Sequence, residues 1–539
     1  AKFHDWSTNP DNFGSIISGT AGVEGAFSST FGFDGCSFAD CDAFFFPHPA
    51  IHKHNAKMVS KYFMRTTLLT THAPVNPKIR SHPRVTGGIA PVSIYWHTEP
   101  MLFRVLSGCL GLAVLSVGAA DTPKDYQATA NKLIHSATNS PFGFNRLATM
   151  CDTFGPRFSG SPNLEKAIDW CLAQMKKDGF VNVHGEEVTV PHWVRGRESA
   201  TLLTPRARVL PMMGLGGSVG TPREGITAEV LVVKSFDDLK AKAAQAKGKI
   251  VLFNLPFTEY RETVIVRRMG AIEAAKAGAV ASLIRSVGPF SMQTPHTGNM
   301  RYDEKVKRIP HAALSVEDAM MLARMQERGE PIRIELKMEA RTLPPAKSRN
   351  VIADIRGHEK PNEIVIVSGH IDSWDVGQGA MDDGGGCLAA WEAARLIMKA
   401  GLKPRRTIRV VLWTNEENGL GGAKEYARRH AKDLKNHVLA IESDSGVFKP
   451  TGYGFLGSGE GMKVIQQIGG LLEPIDAGEI KKGCRGADVL RLISGGVPVM
   501  HLEVDRERYF WFHHTHADTI DKLDRNEFNQ CVASMAVMA

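Results

Sequence analysis

The segment 363–386, EIVIVSGHIDSWDVGQGAMDDGGG, constrains this chain more than any other. Its β-branched run Ile364–Val367 gives way to a polar stretch carrying His370, Asp372, Asp375, Asp382 and Asp383, closed by three glycines. An unbroken Ile/Val run bounded by glycine suits a strand buried on both faces, and open α/β sheets collect their ligands where such strands end. His370 is therefore expected at the carboxyl end of a central strand. The His-x-Asp spacing lets an imidazole bind a metal through one nitrogen and donate its other N–H to Asp372, which fixes tautomer and ring orientation. Taken alone, His-x-Asp is common and reads equally as a polar loop.

The pattern recurs downstream. Thr407–Trp413 reads as a strand running into Thr414-Asn415-Glu416-Glu417, Val438–Ile441 as one running into Glu442-Ser443-Asp444, and Val497–Leu502 as one preceding His513-His514-Thr515-His516-Ala517-Asp518. Cys387–Lys399, Gly421–His430 and Gly461–Leu472 carry helical patterns between them, and Val351–Ile355 reads as a further strand, so the region predicts an α/β sheet covered on both faces. Salt bridges seldom require carboxylates at four buried strand ends; a metal centre does. Two zinc ions close together need a bridging carboxylate, further His and carboxylate ligands on each ion, and room for water. Asp382 suits the bridge. His370 and Asp444 would complete one ion, and Glu417 with a histidine of the 513–516 cluster the other; the residue pattern leaves His513, His514 and His516 open. The pair Glu416-Glu417 reads as a division of labour, one carboxylate on metal and its neighbour free to accept a proton from the attacking water.

The rest of the chain frames this region. Its 539 residues, 43% hydrophobic and 23% charged, predict a globular protein of two or more domains. The net charge of +8 is dispersed with no Lys/Arg block, which argues against nucleic acid as a partner. Residues 1–100 mix Gly, Ser, Phe, His and Pro without sustained periodicity and read as a non-native or unprocessed leader. Residues 101–120, MLFRVLSGCLGLAVLSVGAA, have the basic start, short apolar centre and small-residue end of a signal peptide, too short for a stable membrane span. Export by that route predicts a secreted or lysosomal protein. Of eight cysteines, Cys151, Cys171, Cys387, Cys484 and Cys531 follow this segment, an odd number that cannot all pair within one chain. Residues 121–190 read as the N-terminal part of the catalytic domain, helical over 125–180, with one helix starting at Ser161-Pro162 and stopping at Gly179, followed by the alternating strand Val181–Val190. Residues 191–343 mix short strands and a helix, collect no carboxylates and histidines at useful spacing, and read as an inserted non-catalytic domain; 344–539 carries the chemistry. A serine nucleophile finds no Gly-x-Ser-x-Gly elbow at a strand-to-helix turn.

SGHIDSWDVGQGAMDDGGG, VLWTNEENG, IESDSG and FHHTHADT together resemble, in order, the motifs of the co-catalytic dizinc exopeptidases related to aminopeptidases and glutamate carboxypeptidase. The resemblance runs from about Asp125 to the end of the chain. It implies a mixed, mainly parallel sheet flanked by helices, with a protease-associated domain inserted over roughly 191–343. It also implies two Zn2+ per chain on His370, Asp382, Glu417, Asp444 and His514, Glu416 as general base, and a cis peptide bond after Asp382. The match to Asp518-Thr519 is what selects His514. Small peptides as substrates, a carboxypeptidase or dipeptidase activity, a homodimer and a terminal helix continuing past Ala539 are implied in the same way. An aminopeptidase on the same site and a non-catalytic binding protein are the rival expectations. Asp375, His513 and His516 receive no role. Gly486-Ala487-Asp488 resembles a loop near substrate, Cys387, Trp374 and Trp391 read as packing residues, and Phe510-Trp511-Phe512 as core or pocket wall.

Overall fold

Two eight-stranded sheets organise residues 126–539, the part of the chain that this computed structural model describes. The leader and signal-peptide readings lie outside those residues.

The first sheet has the strand order Val181–Val194, Arg341–Ile355, Arg406–Trp413, Lys360–His370, His437–Glu442, Val499–Val504, Pro450–Leu456, Glu479–Lys482. Its centre is parallel, from 406–413 through 360–370 and 437–442 to 499–504. Both flanks begin with antiparallel pairs. Side chains alternate between two cores, as a covered sheet requires. Val365, Val367, Val410 and Leu412 pack under helices Gln127–Thr138, Phe142–Phe154, Pro162–Asp178, Gly385–Lys399 and Arg525–Met538. Ile366, Val411 and Trp413 face Ala423 and Tyr426 of helix Gly421–Arg429 instead. Local signals set the helix ends: Ser161 Oγ accepts from Leu164 N–H at 3.2 Å, and Gly179 stops the helix at φ 98°.

The first sheet exceeds expectation in two places. Arg341–Ile355 starts ten residues before Val351 because its first half pairs with 181–194 as an exposed ribbon, whose polar side chains hide a strand from apolar periodicity. Pro450–Leu456 carries two glycines and Glu479–Lys482 is mostly charged, so neither shows the β-branched run that marks a strand.

The chain leaves this sheet at Val194 and returns at Arg341, building the second sheet in between. That sheet is parallel through Ile226–Val233, Ile250–Phe253, Ala281–Arg285 and His311–Leu314. It has apolar clusters of its own around Leu252 and Leu283 and around Val251 and Ile284. Where insertion meets sheet, Phe158, Trp193, Met213, Ala340, Trp374 and Val376 form a small core, with Phe158 and Trp374 stacked at 4.8 Å. Among the described residues all five cysteines are free, and no helix is long and apolar enough to cross a membrane.

Candidate metal centre

Parallel register brings three strand ends to one edge. His370 lies opposite Trp413, and Ser368 opposite Glu442, so the loops carrying Glu416, Glu417 and Asp444 leave the sheet beside His370. The His513-His514 turn closes over them. Asp382 sits in the middle: one carboxylate oxygen, Oδ1, is 3.2 Å from His370 Nε2, and the other, Oδ2, is 3.3 Å from His514 Nε2. His370 Nε2 is also 3.4 Å from Asp444 Oδ1, and His514 Nε2 is 3.0 Å from Glu417 Oε2. Five of the residues expected at the site, His370, Asp382, Glu417, Asp444 and His514, thus lie side by side, and Asp382 faces two distinct His–carboxylate pairs.

Backbone amides hold the carboxylates in place. His370 Nδ1 lies 2.9 Å from the Asp372 backbone carbonyl and 3.7 Å from its carboxylate. That carboxylate also accepts from the N–H groups of Glu416 at 2.9 Å and Glu417 at 3.3 Å, and so fixes the turn carrying the paired glutamates. Asp518, used in the sequence only as a landmark, accepts from Met381 N–H at 2.6 Å and Asp382 N–H at 3.1 Å. Asp383 accepts from His370 N–H at 2.9 Å and Gly386 N–H at 3.1 Å. The Asp382-Asp383 peptide is cis. The glycines that follow do not serve a turn, since Gly384 and Gly385 have helical φ of −56° and −60°. They permit close approach: a Cβ on Gly386 would stand 2.0 Å from the Ser443 carbonyl oxygen.

Charge is concentrated and costly to bury. Burial opposes protonation of His514, but Glu417 and Asp382 outweigh it and raise its pKa to about 10. Burial, with Asp382 adding, pushes Glu417 up to about 7. The same desolvation, reinforced by Asp444 and Glu417, holds Glu416 well above the usual carboxylate range. Asp382 goes the other way, its burial outweighed by His370 and His514. Asp382 Oδ2 and Glu417 Oε1 are buried and accept no well-aligned hydrogen bond, Oδ2 having only its ion pairs with the two histidines. Carboxylates outnumbering imidazoles, with buried oxygens left open, is a donor set that fits zinc. His370, Asp382 and Glu417 bring ligand atoms within 4.8 Å of one another, as do His370, Asp383 and Asp444, and Asp382, His513 and His514.

Three residues without an expected role are now located. Asp375 takes a bidentate pair from Arg195 at 2.6 and 2.8 Å, which ties the site loop to the insertion. His513 stacks on His514 with ring centres 3.6 Å apart, and His516 is exposed. The insertion also reaches the site, which its sequence did not announce: Thr297 N–H donates to the His514 carbonyl at 2.9 Å, and Tyr260 meets His513 edge-on at 5.4 Å. Non-local contacts of this kind leave no spacing to read. Asp488 is fully buried with both carboxylate oxygens unpartnered, Cys387 is buried with its thiol held well up by desolvation, and Phe510 stacks on Tyr260 at 5.1 Å.

Comparison with known proteins gives the family. The profile of Peptidase family M28 matches residues 350–539. Carboxypeptidase Q of Mus musculus is 47% identical over 418 residues, covering 77% of this chain and 89% of the relative. The crystal structure of a Peptidase M28 precursor from Shewanella amazonensis superposes with a TM-score of 0.74 at 36% identity, covering 77% of this chain and 96% of that one. A zinc aminopeptidase from Bacillus subtilis shares the fold at a TM-score of 0.56 and 21% identity, covering 74% and 93%. The chain belongs to peptidase family M28, as a zinc metallo-exopeptidase.

Proposed function

We propose that the chain holds two zinc ions, one on His370 and Asp444, the other on Glu417 and His514, with Asp382 shared between them, and that it hydrolyses dipeptides and other small peptides as a carboxypeptidase or dipeptidase. The observation that carries the reading is the placement of the two Asp382 oxygens, 3.2 Å from His370 and 3.3 Å from His514. The likeness to carboxypeptidase Q supports the direction of attack. A protease-associated identity for the insertion, and a homodimer, follow from the motif resemblance; export to the cell exterior or lysosome follows from segment 101–120.

Zinc, when bound, supplies Lewis-acid polarisation of the scissile carbonyl and a lowered pKa for water. Glu416 is the base. Its backbone is fixed by Asp372, while its carboxylate makes no hydrogen bond or ion pair with another described residue and stays free to accept a proton from the attacking water. It then passes that proton to the leaving amine, so that one side chain serves as base and acid in turn. Asp518 acts through Asp382, holding the backbone on which the shared carboxylate stands.

Elemental analysis of protein purified without chelators should find about two zincs per chain, and Glu416→Gln should keep both while kcat falls roughly 10²–10⁴-fold. Wild-type turnover by metal-loaded Glu416→Gln would remove the base from the scheme. Hydrolysis of N-blocked but not C-blocked peptides fixes the direction of attack; the reverse would make the enzyme an aminopeptidase.

A further inference from the structure

A cavity of about 750 Å³ opens beside Asp444, between the catalytic strands and the 257–261 loop of the insertion. Three guanidinium groups line it: Arg261, Arg485 and Arg506. Arg485 is already matched, since it donates to Glu503, whose other oxygen lies 3.0 Å from His501 Nε2. Arg261 and Arg506 have no carboxylate partner among the described residues. Arg506 is instead held by aromatic faces, its guanidinium carbon 5.6 Å from the Tyr509 ring centre and 5.9 Å from that of Phe510. Contacts with π faces orient a guanidinium without neutralising it, and leave its planar fork of donors free. The acids of the cavity are Glu259, exposed on the insertion loop, and Asp444, which belongs to the metal centre.

We propose that this cavity receives the free α-carboxylate of the peptide, with Arg506 as its principal anchor and Arg261 as a second one contributed by the insertion. The proposal rests on the peptidase reading and adds the group that selects the substrate end. A carboxylate accepts two parallel N–H bonds from one guanidinium, which makes arginine the side chain suited to reading it. Asp444, which would hold metal, stands in the cavity wall, so the cavity adjoins the place where the scissile bond would lie. Exopeptidase selectivity would follow from this charge. A longer peptide places an uncharged amide where the guanidinium needs an anion, and an amidated end does the same.

The test uses the full zinc-loaded chain with alanyl-alanine, its C-terminal amide, and alanyl-glutamate α-amide. Wild type is expected to prefer the free acid. Arg506→Ala should raise KM for the free acid roughly tenfold to a hundredfold, the range of a lost charge-assisted pair, leaving the amide unchanged. Arg506→Lys should recover part of the loss, and adding Arg261→Ala should deepen it. An unchanged acid-to-amide ratio in the variants would overturn the proposal, as would equal loss on both substrates at intact zinc content. Arginine dependence seen with the glutamate side chain alone would overturn it too, because the α-carboxylate would then not be the ligand. If wild type hydrolyses none of these peptides, the peptidase direction fails separately. Calorimetric binding of alanyl-alanine against its amide still decides the arginine question, an Arg506-dependent difference sustaining the proposal and equal affinities sinking it.

Discussion

The two sheets each bury a histidine completely, and the difference between His370 and His311 shows what makes a site. His311, at the start of a strand in the second sheet, has its ring nitrogens 3.2–3.3 Å from the carbonyls of Ser282, Val266 and Arg267. Burial lowers its pKa to about 4, so it stays neutral in the core. His370, at the end of a strand in the first sheet, is equally buried, yet Asp372, Asp382 and Asp444 overcome the desolvation and raise its pKa well above the usual value. A carbonyl takes up the single N–H of a neutral imidazole without adding charge; several carboxylates around one leave excess negative charge that a cation must balance. Burial therefore says little by itself, and the neighbours at the strand end say most.

The contrast can be broken or sharpened experimentally. The largest effect is expected from Asp382→Ala, which removes the group shared by both His–carboxylate pairs: turnover should drop to background and zinc content should fall by atomic absorption. Full zinc content with activity retained would end the shared-carboxylate reading. An intermediate effect is expected from Asp518→Asn, which keeps the shape but weakens acceptance from Met381 and Asp382 N–H. Zinc affinity or activity should fall roughly tenfold to a hundredfold with the fold intact. No change would make Asp518 a mere landmark. The smallest effect lies in the second sheet and concerns stability. With a folded pKa of about 4 against an unfolded value near 6.5, His311 takes up its proton more readily when unfolded. Its depressed pKa costs stability as pH falls from about 6.5 toward 4, by roughly 3 kcal/mol in full. His311→Gln should flatten that part of the acid-unfolding curve and leave zinc content unchanged; an unaltered curve would show that the ring does not stay neutral.

Much of the catalytic part was legible from the sequence because its signals are local. Apolar runs placed the 360–370, 406–413 and 437–442 strands, and the polar residues following each proved to share one edge. The last two strands of the sheet, 450–456 and 479–482, escaped notice for lack of the β-branched runs that mark a strand. Residues 191–343 read as an insertion because their sequence lacks the clustered donors, and for the same reason they did not read as a wall of the site. Its contributions, Tyr260 against His513 and Arg195 against Asp375, come from side chains whose partners lie more than a hundred residues away.

What the sequence determined by itself is the set of donors and their order: His370, Asp382, Glu416-Glu417, Asp444 and the 513–516 histidines, each tied to a strand end by short spacing. Only the tertiary structure decided how they are used. It made Asp372 the holder of the glutamate turn as well as a neighbour of His370, gave Asp518 the backbone of Asp382, and left Arg506 without a carboxylate partner in the cavity beside Asp444. The physical reason is that hydrogen bonds to backbone amides, and the absence of an ion-pair partner, depend on which distant segments fold against one another. Residue type and spacing carry no record of that.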